Sequence, residues 1–336
     1  LIYFFKLIPN IYNVSNMKTC LNKIAMCATV LPVSAIALVT TSFAKVVSTA
    51  DANNESEKYT PVTLQDPVVN TTNKMVMADG QEFELVADID PNTFCTVDDK
   101  VVNKDNINVA LADGTIKTLV RSEYEQIVSL SLASCNKDIT SINTGFLYGC
   151  NKLETLDISG FENITEIGKC FMYACTKFNQ AELVLPSCLK EISLTFMYGN
   201  RSFEGKLVLP TSASKIGGYF MTGCSKFNSK LSLPVNATEI GNNFMSGCIA
   251  FDSEIVLPKF LEKIGNSFMM RCDSFKHDLV LPSTLKEIGE DFMAFCENYP
   301  KAITIPSSVT SIGDWFLDGC PEVKARVINN SNVKIK

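Results

Sequence analysis

With 336 residues, 46% of them hydrophobic and 20% charged, the chain has the composition of folded protein, and wholly disordered classes are excluded. A net charge of -6 without a cluster of Lys and Arg excludes nucleic acid as partner, because phosphate binding needs concentrated positive charge that releases counterions. The 13 cysteines and one histidine must be judged by their spacing.

At the amino end, Met17, Lys18 and Lys23 precede an apolar run from Ile24 to Val39, and small residues come after it at Ser42, Ala44, Ser48 and Ala50. Residues 17–50 therefore read as a secretory leader cleaved near Ala44 or Ala50, with residues 1–16 as upstream translation. An uncleaved membrane anchor is the alternative, and it is the one membrane link expected. Cys20 and Cys27 lie before or inside the apolar run, which argues against a lipid anchor. Residues 51–72, rich in Asn, Ser, Thr and Glu, are expected to be a flexible spacer.

Residues 73–125 carry two similar segments, Val76 to Val86 and Ala110 to Val120, each with Ala-Asp-Gly between β-prone stretches. Asp79-Gly80 and Asp113-Gly114 predict hairpins with type I′ turns. The region is expected to be a small β domain or an N-terminal cap for the remainder of the chain. Asp88, Asp90, Asn92 and Asp99 approximate a calcium loop, but Thr93 stands where that loop needs Gly. A turn-forming acidic loop is the better reading.

Residues 126–328 repeat. Phe196, Phe220, Phe244, Phe268, Phe292 and Phe316 are spaced by 24, and Phe146 and Phe171 extend the series at intervals of 25. An isoleucine stands four residues before each Phe, from Ile142 to Ile312, and Pro186, Pro210, Pro234, Pro258, Pro282 and Pro306 keep the same step. These series mark eight copies of a short unit. One unit runs through Leu231, Leu233, Pro234, Ala237, Ile240, Gly241, Phe244, Met245, Cys248 and Phe251. Leu231-Ser232-Leu233 is a strand with both leucines inward, Pro234 ends it, and Gly241 is expected to permit a tight turn. No copy closes a core alone, so the fold class is a mainly β repeat solenoid of short parallel strands stacked in a ladder.

The segments Leu281 to Gly289 and Ile305 to Gly313 resemble the BspA-like class of leucine-rich repeats, with Phe-Met in place of Ala-Phe and, in most units, one extra residue before the strand. That resemblance implies a leucine-rich-repeat right-handed superhelix. It further implies a secreted or cell-surface protein in an adhesin-type contact with a host surface or matrix protein. A secreted structural or immune-modulating repeat protein, and an enzyme with its activity in residues 73–125, are the alternatives.

Candidate contact residues lie at positions left free by stacking. Val184, Val208, Ser232, Val256, Val280 and Thr304 occupy the outward strand position, as a binding band or as simple β-propensity. Tyr148, Tyr173 and Tyr198 recur in three successive copies, as interface anchors or as a structural stack. Cys150, Cys175, Cys224, Cys248, Cys272, Cys296 and Cys320 fill one repeat position, with Asn200 in the remaining copy. One thiol per rung gives a line rather than a convergent metal or disulfide site, so they read as buried structural thiols. His277 is expected on the surface and Trp315 at the terminal rung. No phosphate loop, His-Glu-x-x-His helix or dinucleotide fingerprint occurs, so neither catalysis, a metal nor a cofactor is expected, and the partner is a protein. Asn54, Asn70, Asn163, Asn236 and Asn329 begin glycosylation sequons, and residues 329–336 read as a polar tail.

Overall fold

The computed structural model describes residues 72–97 and 103–335. The leader, the spacer up to residue 71 and Asp99 lie outside the described residues. Two hairpins open the described residues: β1 (Lys74–Met77) with β2 (Glu82–Glu84), and β3 (Asn106–Ala110) with β4 (Ile116–Val120). Their turns are not of type I′. Only the glycines have positive φ, at 85° for Gly80 and 86° for Gly114. The Gly80 N–H donates to Met77 O and the Gly114 N–H to Leu111 O, which makes each loop a three-residue turn closed by a left-handed glycine. Asp79 and Asp113 each accept the N–H two residues on through Oδ1, and this local bond favours the longer loop.

Between the hairpins, Asp90 caps a 3-10 turn over Pro91–Phe94 by accepting the Asn92 N–H. Asn92 in turn accepts the Asn143 N–H at 2.7 Å, so the acidic loop is tied to the first repeat. A single helical turn, α1 (Arg121–Tyr124), leads into β5 (Ile127–Ser131). The β1 strand pairs antiparallel with β5, and β5 pairs parallel with β7 (Thr155–Asp157). The first hairpin thus joins the sheet of the solenoid directly.

Each turn of the solenoid presents three walls. The first is the Leu-x-Leu strand: β9 (Glu182–Val184) pairs with β11 (Lys206–Val208) and β13 (Leu231–Ser232) with β15 (Ile255–Val256), parallel and with inward residues aligned, and β18 (Thr304–Ile305) pairs parallel with the exposed β20 (Ile328–Asn329). The second wall is absent from the sequence-based expectations. The residue pairs ending in the repeated isoleucine form a six-stranded parallel sheet: β10 (Glu191–Ile192), β12 (Lys215–Ile216), β14 (Glu239–Ile240), β16 (Lys263–Ile264), β17 (Glu287–Ile288) and β19 (Ser311–Ile312). Upstream, β6 (Ser141–Ile142) pairs with β8 (Glu166–Ile167) in the same manner. Two residues are too few to show an alternating pattern, and only the stacking of identical pairs creates the sheet.

The glycine that follows six of the eight isoleucines serves this wall differently from the expected turn. A Cβ on Gly241 would stand 2.4 Å from the Gly218 nitrogen, so the residue is small because neighbouring backbones approach closely there.

The third wall carries the repeated Phe-Met. Tyr219, Met221 and Gly223 have φ of 57°, 52° and 72°, and Asn243, Met245 and Gly247 repeat the pattern. A left-handed non-glycine costs roughly 1 kcal/mol, and inter-turn bonds offset it. The Tyr219 N–H reaches Asn242 O at 2.6 Å and the Gly223 N–H reaches Ser246 O at 2.8 Å in the next turn, while the Met221 N–H reaches Phe196 O at 2.9 Å in the previous one. Met and Leu, unbranched at Cβ, suit such a backbone better than β-branched residues.

Inside, two aromatic columns run along the axis. Phe171 and Phe196 stack at 4.9 Å and the column continues to Phe292 and Phe316 at 5.2 Å. A second column runs from Phe178 and Phe203 at 5.4 Å to Phe275 and Tyr299 at 5.5 Å. The last repeat is followed by α2 (Pro321–Lys324) and by β20. The expected polar tail therefore begins inside a strand, and Val333 and Ile335 pack partly buried against the core.

Gly241→Ala should destabilise the protein by about 1–3 kcal/mol, since the added methyl must displace backbone in a packed layer. Urea unfolding checks this; an unchanged midpoint would show that the glycine has no close-approach role.

Candidate protein-binding surface

The outward position of the first wall lies between two inward residues, so alternation alone exposes it. Val184 and Val256 are each 53% exposed and Val280 75%; Ser232 and Thr304 are exposed and Val208 is half-buried. These side chains form a row along the solenoid. Val235 and Phe260, which follow the strand-ending prolines, are exposed as well. Neither shares the repeat's pattern, so no periodic signal could have marked them. The row is bordered by ion pairs between neighbouring turns, Lys206 Nζ to Glu182 Oε1 at 2.7 Å and Lys230 Nζ to Glu254 Oε2 at 2.6 Å. The surface is thus a mildly apolar strip, interrupted by Ser232 and Thr304, with a charged margin.

The tyrosines sit on the third wall. Tyr148 and Tyr173 stack at 4.7 Å, Tyr173 and Tyr198 at 4.8 Å, with interplanar angles of 7° and 3°. Tyr219 continues the run at a tilt. Their ring faces contact one another, which leaves edges and hydroxyls for a partner.

The cysteine column is buried, and each thiol donates to a main-chain carbonyl of the previous turn. Cys224 reaches Met197 O and Cys248 reaches Met221 O, both at 3.2 Å; Cys272 reaches Met245 O at 3.3 Å and Cys296 reaches Met269 O at 3.1 Å. The position needs a small side chain with one buried donor, which cysteine supplies. Burial pushes the thiols of Cys224 and Cys296 up from 9.0 to about 12, and a neutral thiol there is a poor nucleophile and a poor metal ligand. Cys188, outside the column, is exposed. Asn200, in the column, is fully buried and neither its Oδ1 nor its Nδ2 finds a partner.

His277 lies half-exposed, with Nε2 3.1 Å from Asp252 O. Trp315 is exposed and so does not seal the end of the core. Among the described residues no group of His, Cys, Asp and Glu side chains is arranged to hold a metal.

With two strand walls and a Phe-Met wall repeating in register, comparison with known proteins decides the family. Residues 96–228 and 190–324 match the BspA type leucine rich repeat region, in six copies. The chain belongs to that family. Members of it are protein-interaction scaffolds, and solenoids of this kind are typically non-catalytic. Similar solved structures are bacterial: a leucine-rich repeat protein from T. pallidum (23% identity, 40% of this chain and 52% of that one, TM-score 0.27), one from Bacteroides ovatus (18%, 84% and 71%, 0.45), and a leucine-rich cell surface protein from Faecalibacterium prausnitzii (14%, 81% and 88%, 0.27). This chain spans about half the length of the T. pallidum protein. No curated protein sequence matches it.

Two outcomes check the thiol column. Asn200→Cys should raise stability by about 1–3 kcal/mol by removing an unsatisfied amide and adding a donor. The second concerns alkali. A thiol whose folded pKa is raised stabilises the fold fully below the unfolded value, and that contribution is lost as pH climbs from about 9 towards 12. Urea midpoints should fall across this window by up to about 1.4 kcal/mol per pH unit for each thiol, and less steeply in Cys224→Ala. Parallel slopes in the two proteins would refute the assignment.

Proposed function

We propose that this is an exported scaffold that holds a host surface or matrix protein against the outward row of the first wall, in an adhesin-type contact. The observation that carries the reading is the exposed row Val184, Val256 and Val280 with its border of ion pairs: successive turns hold it rigidly, so binding orders little of the protein. Export is supported by the leader pattern of residues 17–50 together with membership of the repeat family. The repeating frame supplies extended area and no concentrated chemistry, which favours a macromolecular partner over a small substrate.

The test is binding of the purified protein to immobilised fibronectin, laminin and collagen, beside two folded variants. Replacing Val208, Val256 and Val280 by Lys should weaken binding at least about tenfold, since buried apolar anchors at an interface are worth more than about 1 kcal/mol each. Replacing Tyr148, Tyr173 and Tyr198 by Ala should leave binding intact and lower stability, because their faces are spent on one another. Absence of binding by the folded protein, or loss only in the tyrosine variant, would overturn the assignment.

A further inference from the structure

The Leu-x-Leu wall is built of separate strand groups, and one of its breaks lies between β7 and β9. These strands belong to consecutive turns, yet β7 is bonded to β5 and β9 to β11, and among the described residues no pairing joins the two. Chain spacing changes across this break: Leu156 follows Cys150 by six residues and Leu183 follows Cys175 by eight. The second strand arrives out of step with the first.

Gln180 stands in the break. Its Oε1 accepts the Leu156 N–H at 2.7 Å and its Nε2 donates to Glu182 O at 2.7 Å, so one side-chain amide does what a peptide group of a partner strand would do. Beyond it lies an open groove of about 530 Å³. Its floor is apolar, with Ile158, Phe161 and Leu185 buried. Its rim carries the exposed carboxylates of Asp157 and Glu162, and that of Glu182, which is paired with Lys206; neither lysine nor arginine is among the lining residues. One wall is a strand edge. Ala181 O and Leu185 N bond to Lys206 N and Val208 O of the β11 chain; alternate residues of a strand direct their peptide groups to opposite sides, so those of Val184 point to the groove.

We propose that this groove takes an extended cationic segment of a partner protein, which adds as a short strand along the β9 edge. Basic side chains lie over the carboxylates of Asp157 and Glu162 and small apolar ones over the floor, the mode in which main-chain bonds give affinity and alternate side chains give selectivity. The inference deepens the scaffold reading and rests on it.

The probe is a fluorescein-labelled peptide of alternating lysine and valine, followed by anisotropy on the purified protein. Two peptides serve as controls, one with glutamate for lysine and one N-methylated at the valines. The variant is Asp157→Asn with Glu162→Lys, which keeps the acceptor for the Ser159 N–H. Saturable binding by the cationic peptide is expected, about five- to tenfold weaker in the variant, as two partly exposed charge pairs allow, and weaker for the N-methylated peptide. No saturation up to about 1 mM would overturn the proposal. So would equal binding of the acidic peptide, or an N-methylated peptide that binds as well as the parent. The valine-to-lysine variant of the outward row leaves the groove rim untouched, so loss of matrix-protein binding there alongside failure of the peptide here would fault the groove and not the scaffold.

Discussion

The whole structure depends on one constraint: every side chain must meet its own counterpart 24 or 25 residues away in the chain. No turn has an interior of its own. Phe stacks on Phe, Ile aligns with Ile across parallel strands, and each thiol reaches the carbonyl of the turn before it. A core built this way is a set of columns, and stability becomes a sum of neighbour terms. A buried Phe contributes roughly 1.5–3 kcal/mol, and a stacked pair about 0.5–1.5 kcal/mol more, at every step.

The third wall shows what this constraint can carry. Left-handed residues recur on either side of the Phe, in places as bulky as Tyr219 and Trp315. In isolation such a backbone would relax. Here the peptide of Tyr219 is bonded to the next turn and that of Met221 to the previous one, so releasing them would leave buried polar groups unpaired, which costs more than the strain. The thiol column completes this wall by satisfying the carbonyl of the left-handed Met.

Departures from the repeat are therefore informative. Asn200 places an amide where the column wants one donor, and both its polar atoms are orphaned. Gln180 occurs where the chain between Cys and strand has lengthened, and its amide bridges two strands that no longer pair. The first has no compensation in the structure. The second stands at the edge of a groove between two turns.

The repeating unit, its period, the inward leucines, the buried thiols and the outward valine row are all legible in the amino-acid order, because each is a one-dimensional regularity that maps directly onto a stacked fold. Two hairpins are legible from Asp-Gly, though the turn type is not, since it depends on a carboxylate choosing the N–H two residues ahead. The isoleucine sheet, the role of Gly241, the alternating left-handed backbone and the β7 to β9 groove were settled only by folding. All four arise from contacts between turns: a two-residue strand, a forbidden Cβ, a strained φ and a broken ladder have no signature within one repeat, and exist only once the neighbouring repeat is laid against it.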